Sequence, residues 1–236
     1  VNGAPDPRDA GGDPLRAAAE TMHTVRDNCV WTQRITHRDL VPYLVEESAE
    51  LIDAVEEGSR DELREELGDL LWQVLFHAEI ASRDPDAPFD IDDVARGLTD
   101  KMVRRHPHVF GDAVANTPEE VLVHWNAAKA LEKHERRSVL DGVSERMPSL
   151  ALAQKLLGKA VTLPKPGAGA ESEVVAPSVG ADPVSRDEPA SEAELGDALL
   201  ALVAQARAHG WDAERALRER LRVLEGEIRD AEATGR

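Results

Sequence analysis

The 236 residues include one cysteine, one tyrosine and three phenylalanines, and each scarcity excludes something. A lone Cys29 cannot build an intramolecular disulfide framework and fits a reducing compartment, so a cytoplasmic protein is expected. Basic residues are short as well: 28 Lys and Arg face 46 Asp and Glu, a net charge of −18. Nucleic-acid backbones and anionic membranes both require a basic footprint, so neither is expected as a main partner. No apolar run approaches the ~20 residues of a membrane span. The opening VNGAPDPRDAGGDP has no basic start and no apolar stretch, so no secretory signal is expected. No glycine-rich loop of the Walker type occurs, which leaves phosphate handling to metals and side chains.

What remains is apolar enough, at 42% hydrophobic residues, to bury a core as one or two domains. Residues 1–14 read as a flexible tail. Helical periodicity covers Leu15 to Asp27, and the segment from Cys29 to His37 reads as a loop. A helix is expected from Asp39 to Glu57, with an apolar stripe of Val41, Leu44, Val45, Ile52 and Val55. After Glu57-Gly58-Ser59, the capping box Ser59-x-x-Glu62 opens a helix that runs to Ala81. Further helices are expected over Ile91–Arg105, ended by His106-Pro107, and from Thr117-Pro118-Glu119-Glu120 to Arg137. No stretch alternates as a strand would, so the fold class is all-α, a bundle of roughly four or five helices. The first helical domain is placed at 15–162, a Pro/Gly/Ala/Ser-rich disordered linker at 163–190 and a second helical segment at 191–236. The second segment echoes the first. Glu66-Leu67-Gly68-Asp69 recurs as Glu194-Leu195-Gly196-Asp197, but the linker stands where a second acidic helix would be. It reads as a degenerate repeat.

The chemistry is concentrated in five acids, Glu46-Glu47-x-x-Glu50 and Glu66-x-x-Asp69. Neighbours at i+3 and i+4 share a helix face, so two antiparallel helices would converge four or five carboxylates on one spot. An acidic helix usually turns such a face to solvent. Here the second helix is apolar nearly all round, which places Glu66 and Asp69 in or beside a contact. Buried acids demand a counter-charge, and a hard cation with oxygen ligands, Mg²⁺ or Mn²⁺, supplies one. A metal-dependent reaction on a phosphorylated substrate follows.

The EExxE…ExxD arrangement resembles the all-α nucleoside triphosphate pyrophosphohydrolases, and is most similar to the MazG family. Flanking text carries the same resemblance: Cys29-x-Trp31, Tyr43-Leu44-x-Glu46-Glu47, Glu66-Leu67-Gly68-Asp69-Leu70-Leu71, and the run Lys101 to Asp112. The resemblance implies hydrolysis between the α and β phosphates, giving a nucleoside monophosphate and pyrophosphate. It implies Glu47, Glu50, Glu66 and Asp69 as Mg²⁺ ligands and Glu46 as the residue that orients or deprotonates water. It also implies a homodimer or higher homo-oligomer, the partner completing the nucleotide pocket.

Lys101, Arg104 and Arg105 share a helix face. Alone they would be ordinary surface charge; beside a metal-carboxylate cluster they suit a triphosphate. Trp125 and Lys129, four residues apart, read as packing and surface residues by themselves, and as nucleotide contacts by resemblance. Trp31 is a candidate for the base pocket, although Cys29-Val30-Trp31-Thr32 departs from the family's Cys-Pro-Trp-Asp. His106 and His108 read as capping or packing residues, and Cys29 has no activating base nearby. Two alternatives stay open: a narrow-substrate relative acting on dUTP or phosphoribosyl-ATP, and a non-catalytic helical metal-binding or interaction module.

Overall fold

A computed structural model describes residues 12–132, 138–161 and 189–234. The described residues are helical with no strand, as the periodicity requires. Most of the expected 1–14 tail, nearly all of the 163–190 linker and the helix end expected near Arg137 lie outside them. The chain separates into two compact units, 1–132 and 133–236.

In the first unit, α1 (Pro14–Asn28) begins where the Asp13 carboxylate accepts from the Leu15 amide at 3.0 Å. The loop that follows is pinned to α1 by side chains. Thr32 donates to the Val25 carbonyl at 2.9 Å, and the buried Arg26 donates to the Ile35 carbonyl at 3.0 Å. The pinning delivers Leu40 into a core with Met22, Leu75 and Phe76. Next come α2 (Val41–Glu56) and α3 (Arg60–Ala81), joined by a tight turn into an antiparallel hairpin. Gly58 permits that turn, because a Cβ there would lie 2.6 Å from the Ala54 Cα. The expected capping box is present: Ser59 Oγ accepts from the Glu62 amide at 3.2 Å and the Glu62 carboxylate from the Ser59 amide at 2.6 Å. An Asp90/Asp93 capping box opens α4 (Ile91–Arg105), followed by the short α5 (Pro107–Phe110) and α6 (Pro118–Glu132).

Among the described residues of this unit, nothing fully covers the apolar stripe of α2. Val41, Leu44, Val45, Ile52 and Val55 are 38% to 66% exposed, and Ala54 is the residue α2 buries. The periodicity is that of a buried face, left open by the described residues of this unit. Leu67 and Val74 of α3 are exposed as well, while Gln73, Leu75, Phe76 and Ala78 are buried.

The second unit comprises α7 (Ser149–Ala160), α8 (Glu192–Ala208) and α9 (Ala213–Thr234). Val203 and Leu157 are its buried apolar residues. Gln154 of α7 clamps the α8–α9 turn, donating to the Trp211 carbonyl at 2.9 Å and accepting from the Ala213 amide at 3.3 Å. The sequence reading carried the first domain to 162; the packing instead groups α7 with α8 and α9.

Candidate active site

Pairing α2 with α3 sets Glu47 opposite Glu66 and Asp69, and one carboxylate oxygen from each lies within 4.8 Å of the other two. The reason is helical phase. Glu66 and Asp69 are one turn apart on the face of α3 that meets α2, and Glu47 stands at the matching height. Glu50 lies close enough for its charge to act on both Glu47 and Glu66, whereas Glu46 is exposed on the flank.

This group is short of positive charge. Among the described residues no basic side chain pairs with any of the five acids, and Glu66 Oε2 is buried without a hydrogen-bond partner. The electrostatics follow. Burial, then the charges of Asp69, Glu50, Glu66 and Glu46, hold the Glu47 carboxyl above the usual carboxylate range. Glu66 is raised by burial first, then by Glu50 and Asp69. A divalent cation would supply the missing charge, and a donor set of carboxylate oxygens suits Mg²⁺ or Mn²⁺.

The basic residues gather elsewhere, between α4 and α6. Arg105 Nη2 meets Glu132 Oε2 at 2.6 Å and Arg104 Nη2 meets Glu132 Oε1 at 3.4 Å. The Arg105 guanidinium lies over the Trp125 ring at 4.8 Å, and Trp125 stands edge-on to His106 at 5.3 Å. At its own helix end His106 donates from Nδ1 to the Met102 carbonyl at 2.7 Å, a capping contact. Arg105 is therefore already engaged, while Arg104 is over half exposed. Lys101 is partly buried one turn earlier on α4, and Lys129 one turn beyond Trp125 on α6. No hydrogen bond or ion pair among the described residues joins this group to the carboxylates. Trp31 stands nearer to the α2–α3 hairpin, edge-on to Tyr43 and to Phe76 at 6.3 Å each. Glu132 and the buried Gln73 were not singled out from sequence, and Tyr43 was noted only within its motif. Gln73 shares the helix face of Glu66 and Asp69, a phase relation that could have flagged it, and its Oε1 is buried without a partner.

An all-α hairpin that presents clustered, unneutralised carboxylates is a candidate metal site on a helical protein. The MazG nucleotide pyrophosphohydrolase domain family matches residues 35–110, which span the cluster and the basic helix. A Streptomyces cacaoi protein named "Uncharacterized 26.1 kDa protein in blaB 3'region" is 46% identical over 97% of this chain and 86% of its own length. The nucleoside triphosphate pyrophosphohydrolase of Escherichia coli K12 is 33% identical over 93% of this chain and 86% of its own length. The Mycobacterium tuberculosis protein of the same name is 46% identical over 72% of this chain, which spans 52% of that relative's length. The chain belongs to the MazG nucleotide pyrophosphohydrolase family.

Proposed function

We propose that the chain hydrolyses nucleoside triphosphates between the α and β phosphates, releasing a nucleoside monophosphate and pyrophosphate, with Mg²⁺ as cofactor and Mn²⁺ as a substitute. The observation that carries this reading is the triad of Glu47, Glu66 and Asp69, whose oxygens converge without a basic partner. Glu47, Glu66 and Asp69, with Glu50 beside them, would hold the cation. When bound, it neutralises charge on phosphate oxygens and acidifies water. Glu46, exposed at the edge of the cluster, orients or deprotonates the attacking water. Lys101 and Arg104 take phosphate oxygens, and Arg105 is set in place by Glu132 and the Trp125 ring. Trp31, Trp125 and Lys129 contact the nucleotide, and stacking on an indole tolerates different bases. Such tolerance suits the removal of non-standard or damaged nucleotides in the cytoplasm.

The exposed stripe of α2, with Leu67 and Val74 of α3, supports a homodimer in which a second copy covers this face beside the carboxylates. Among the described residues no helix is long and apolar enough to cross a membrane.

The test is incubation of the full chain with a panel of ribo- and deoxynucleoside triphosphates and Mg²⁺, with products resolved by ion exchange. Monophosphate and pyrophosphate, lost on chelation, are expected. Diphosphate with orthophosphate would refute the cleavage position, and turnover of dUTP alone would make the enzyme a narrow one.

A further inference from the structure

The second unit carries an unpartnered surface that catalysis does not use. On α9, Leu217, Leu221, Leu224 and Ile228 recur at intervals of four, three and four residues, and each is 42% to 51% exposed. That spacing is the seam of a helix made to pack against another helix along its length. Neither α7 nor α8 covers it.

Charge along α9 identifies the occupant. The half before the stripe's centre is net basic (Arg215, Arg218, Arg220 and Arg222 against Glu214 and Glu219), and the half after it is net acidic (Glu225, Glu227, Asp230 and Glu232 against Arg229). This order opposes the helix macrodipole, which favours acids at the N-terminus and bases at the C-terminus. An isolated α9 is thus disfavoured by its own charge order, and an antiparallel copy corrects it by laying each basic half along an acidic one. We infer that α9 packs antiparallel against α9 of a second copy of this chain, about a two-fold axis between Arg222 and Val223.

The register is self-consistent. With that axis, Leu217 faces Ile228 of the other copy and Leu221 faces Leu224, so every apolar residue in the stripe finds an apolar one. Arg220 and Glu227, which pair within one helix at 3.4 Å and are both more than half exposed, come together across the seam on its flank. A parallel pairing would instead set Glu227 beside Glu232, the like-charge contact such seams avoid. The contact is separate from the apolar face of α2 and does not depend on the proposed reaction.

The full chain with Cys29→Ser tests this through two further variants, Leu217→Cys and Ile228→Cys, carrying tags of different size. They are mixed and treated with a short thiol cross-linker. The mixed product, position 217 to position 228, is expected to dominate. Equal positions lie roughly 16 Å apart along an antiparallel pair, beyond such a reagent. Products between like positions would mean a parallel pair, and no product between chains would mean the stripe is covered by the first unit or by residues 162–188. Either result overturns the inference. A dimer held only through the first unit gives no mixed product, so the assembly proposed above fails or stands separately. Arg220→Glu should reduce the mixed product several-fold and adding Glu227→Arg should restore it; an unchanged yield in Arg220→Glu also overturns the register.

Discussion

The tetrapeptide Glu-Leu-Gly-Asp occurs twice in this chain and does two different things. In the first unit it begins two turns into α3, so Glu66 and Asp69 face α2 and meet Glu47, and Glu66 Oε2 is left buried and unpaired. In the second unit it falls in the first turn of α8. There the Glu194 carboxylate accepts from the Ala190 amide at 2.8 Å while Ser191 Oγ accepts from the Glu194 amide at 3.2 Å. Glu194 is used up in capping, and among the described residues Asp197 belongs to no carboxylate cluster. In α3 the caps are Ser59 and Glu62, which leaves the later acids to the site. The same four residues make a cap or part of a carboxylate cluster according to how far they lie from the helix start and what packs against them.

The sharpest break in this comparison is functional. Glu66→Gln or Asp69→Asn should lower kcat by more than about a hundred-fold, since loss of even an outer partner of a metal ligand costs 10–100-fold. Glu194→Gln and Asp197→Asn should leave kcat unchanged. Steady-state assays with circular dichroism on all four variants check this, and activity lost equally in both pairs would erase the distinction. Next in size is assembly. Ile52→Glu, on the exposed stripe of α2, should dissociate the proposed dimer and take most of the activity with it, read by sedimentation velocity and turnover on the same sample.

A smaller effect concerns pH. Glu47 and Glu66 are held above the usual carboxylate range, so between that range and their raised values the folded chain binds more protons than the unfolded one. Stability without metal therefore falls as pH rises through this window and is recovered on acidification from neutrality to about pH 5. Glu47→Gln should flatten that rise in melting temperature, and Mg²⁺ should stabilise the wild-type chain most at neutral pH. Below about pH 4 the trend reverses. Asp27, held low first by Arg83, and Glu132, held low first by Arg105, then lose their ion pairs. The smallest effect sharpens the comparison at the caps: Ser59→Ala and Ser191→Ala should each cost about 1 kcal/mol, measured by denaturant unfolding. Their sites are alike as caps, whatever follows them.

Much of this was legible beforehand because it is local. The helix starts at Ser59 and Asp90, the turn at Gly58 and the shared face of Glu66 and Asp69 depend on neighbours within four residues. The basic face was legible as a pattern, but its fate was not. Glu132 pairs with Arg104 and Arg105 from 28 and 27 residues away, a pairing set by how α6 lies on α4. The stripe of α2 was legible as apolar, but what covers it was not, because periodicity reports that a face is to be buried and not by what.

By itself the sequence determined the all-α class, the helix starts, the acids that could form a site and the recurrence of Glu-Leu-Gly-Asp. Those follow from propensity, capping and periods of three to four residues, which act along the chain. Only the tertiary structure decided that Glu47 rather than Glu46 meets Glu66 and Asp69, that Arg105 is held by Glu132, and that α7 packs with α8 and α9. These depend on the rotation and height of one helix against another, where a shift of a single residue turns a side chain by about 100°.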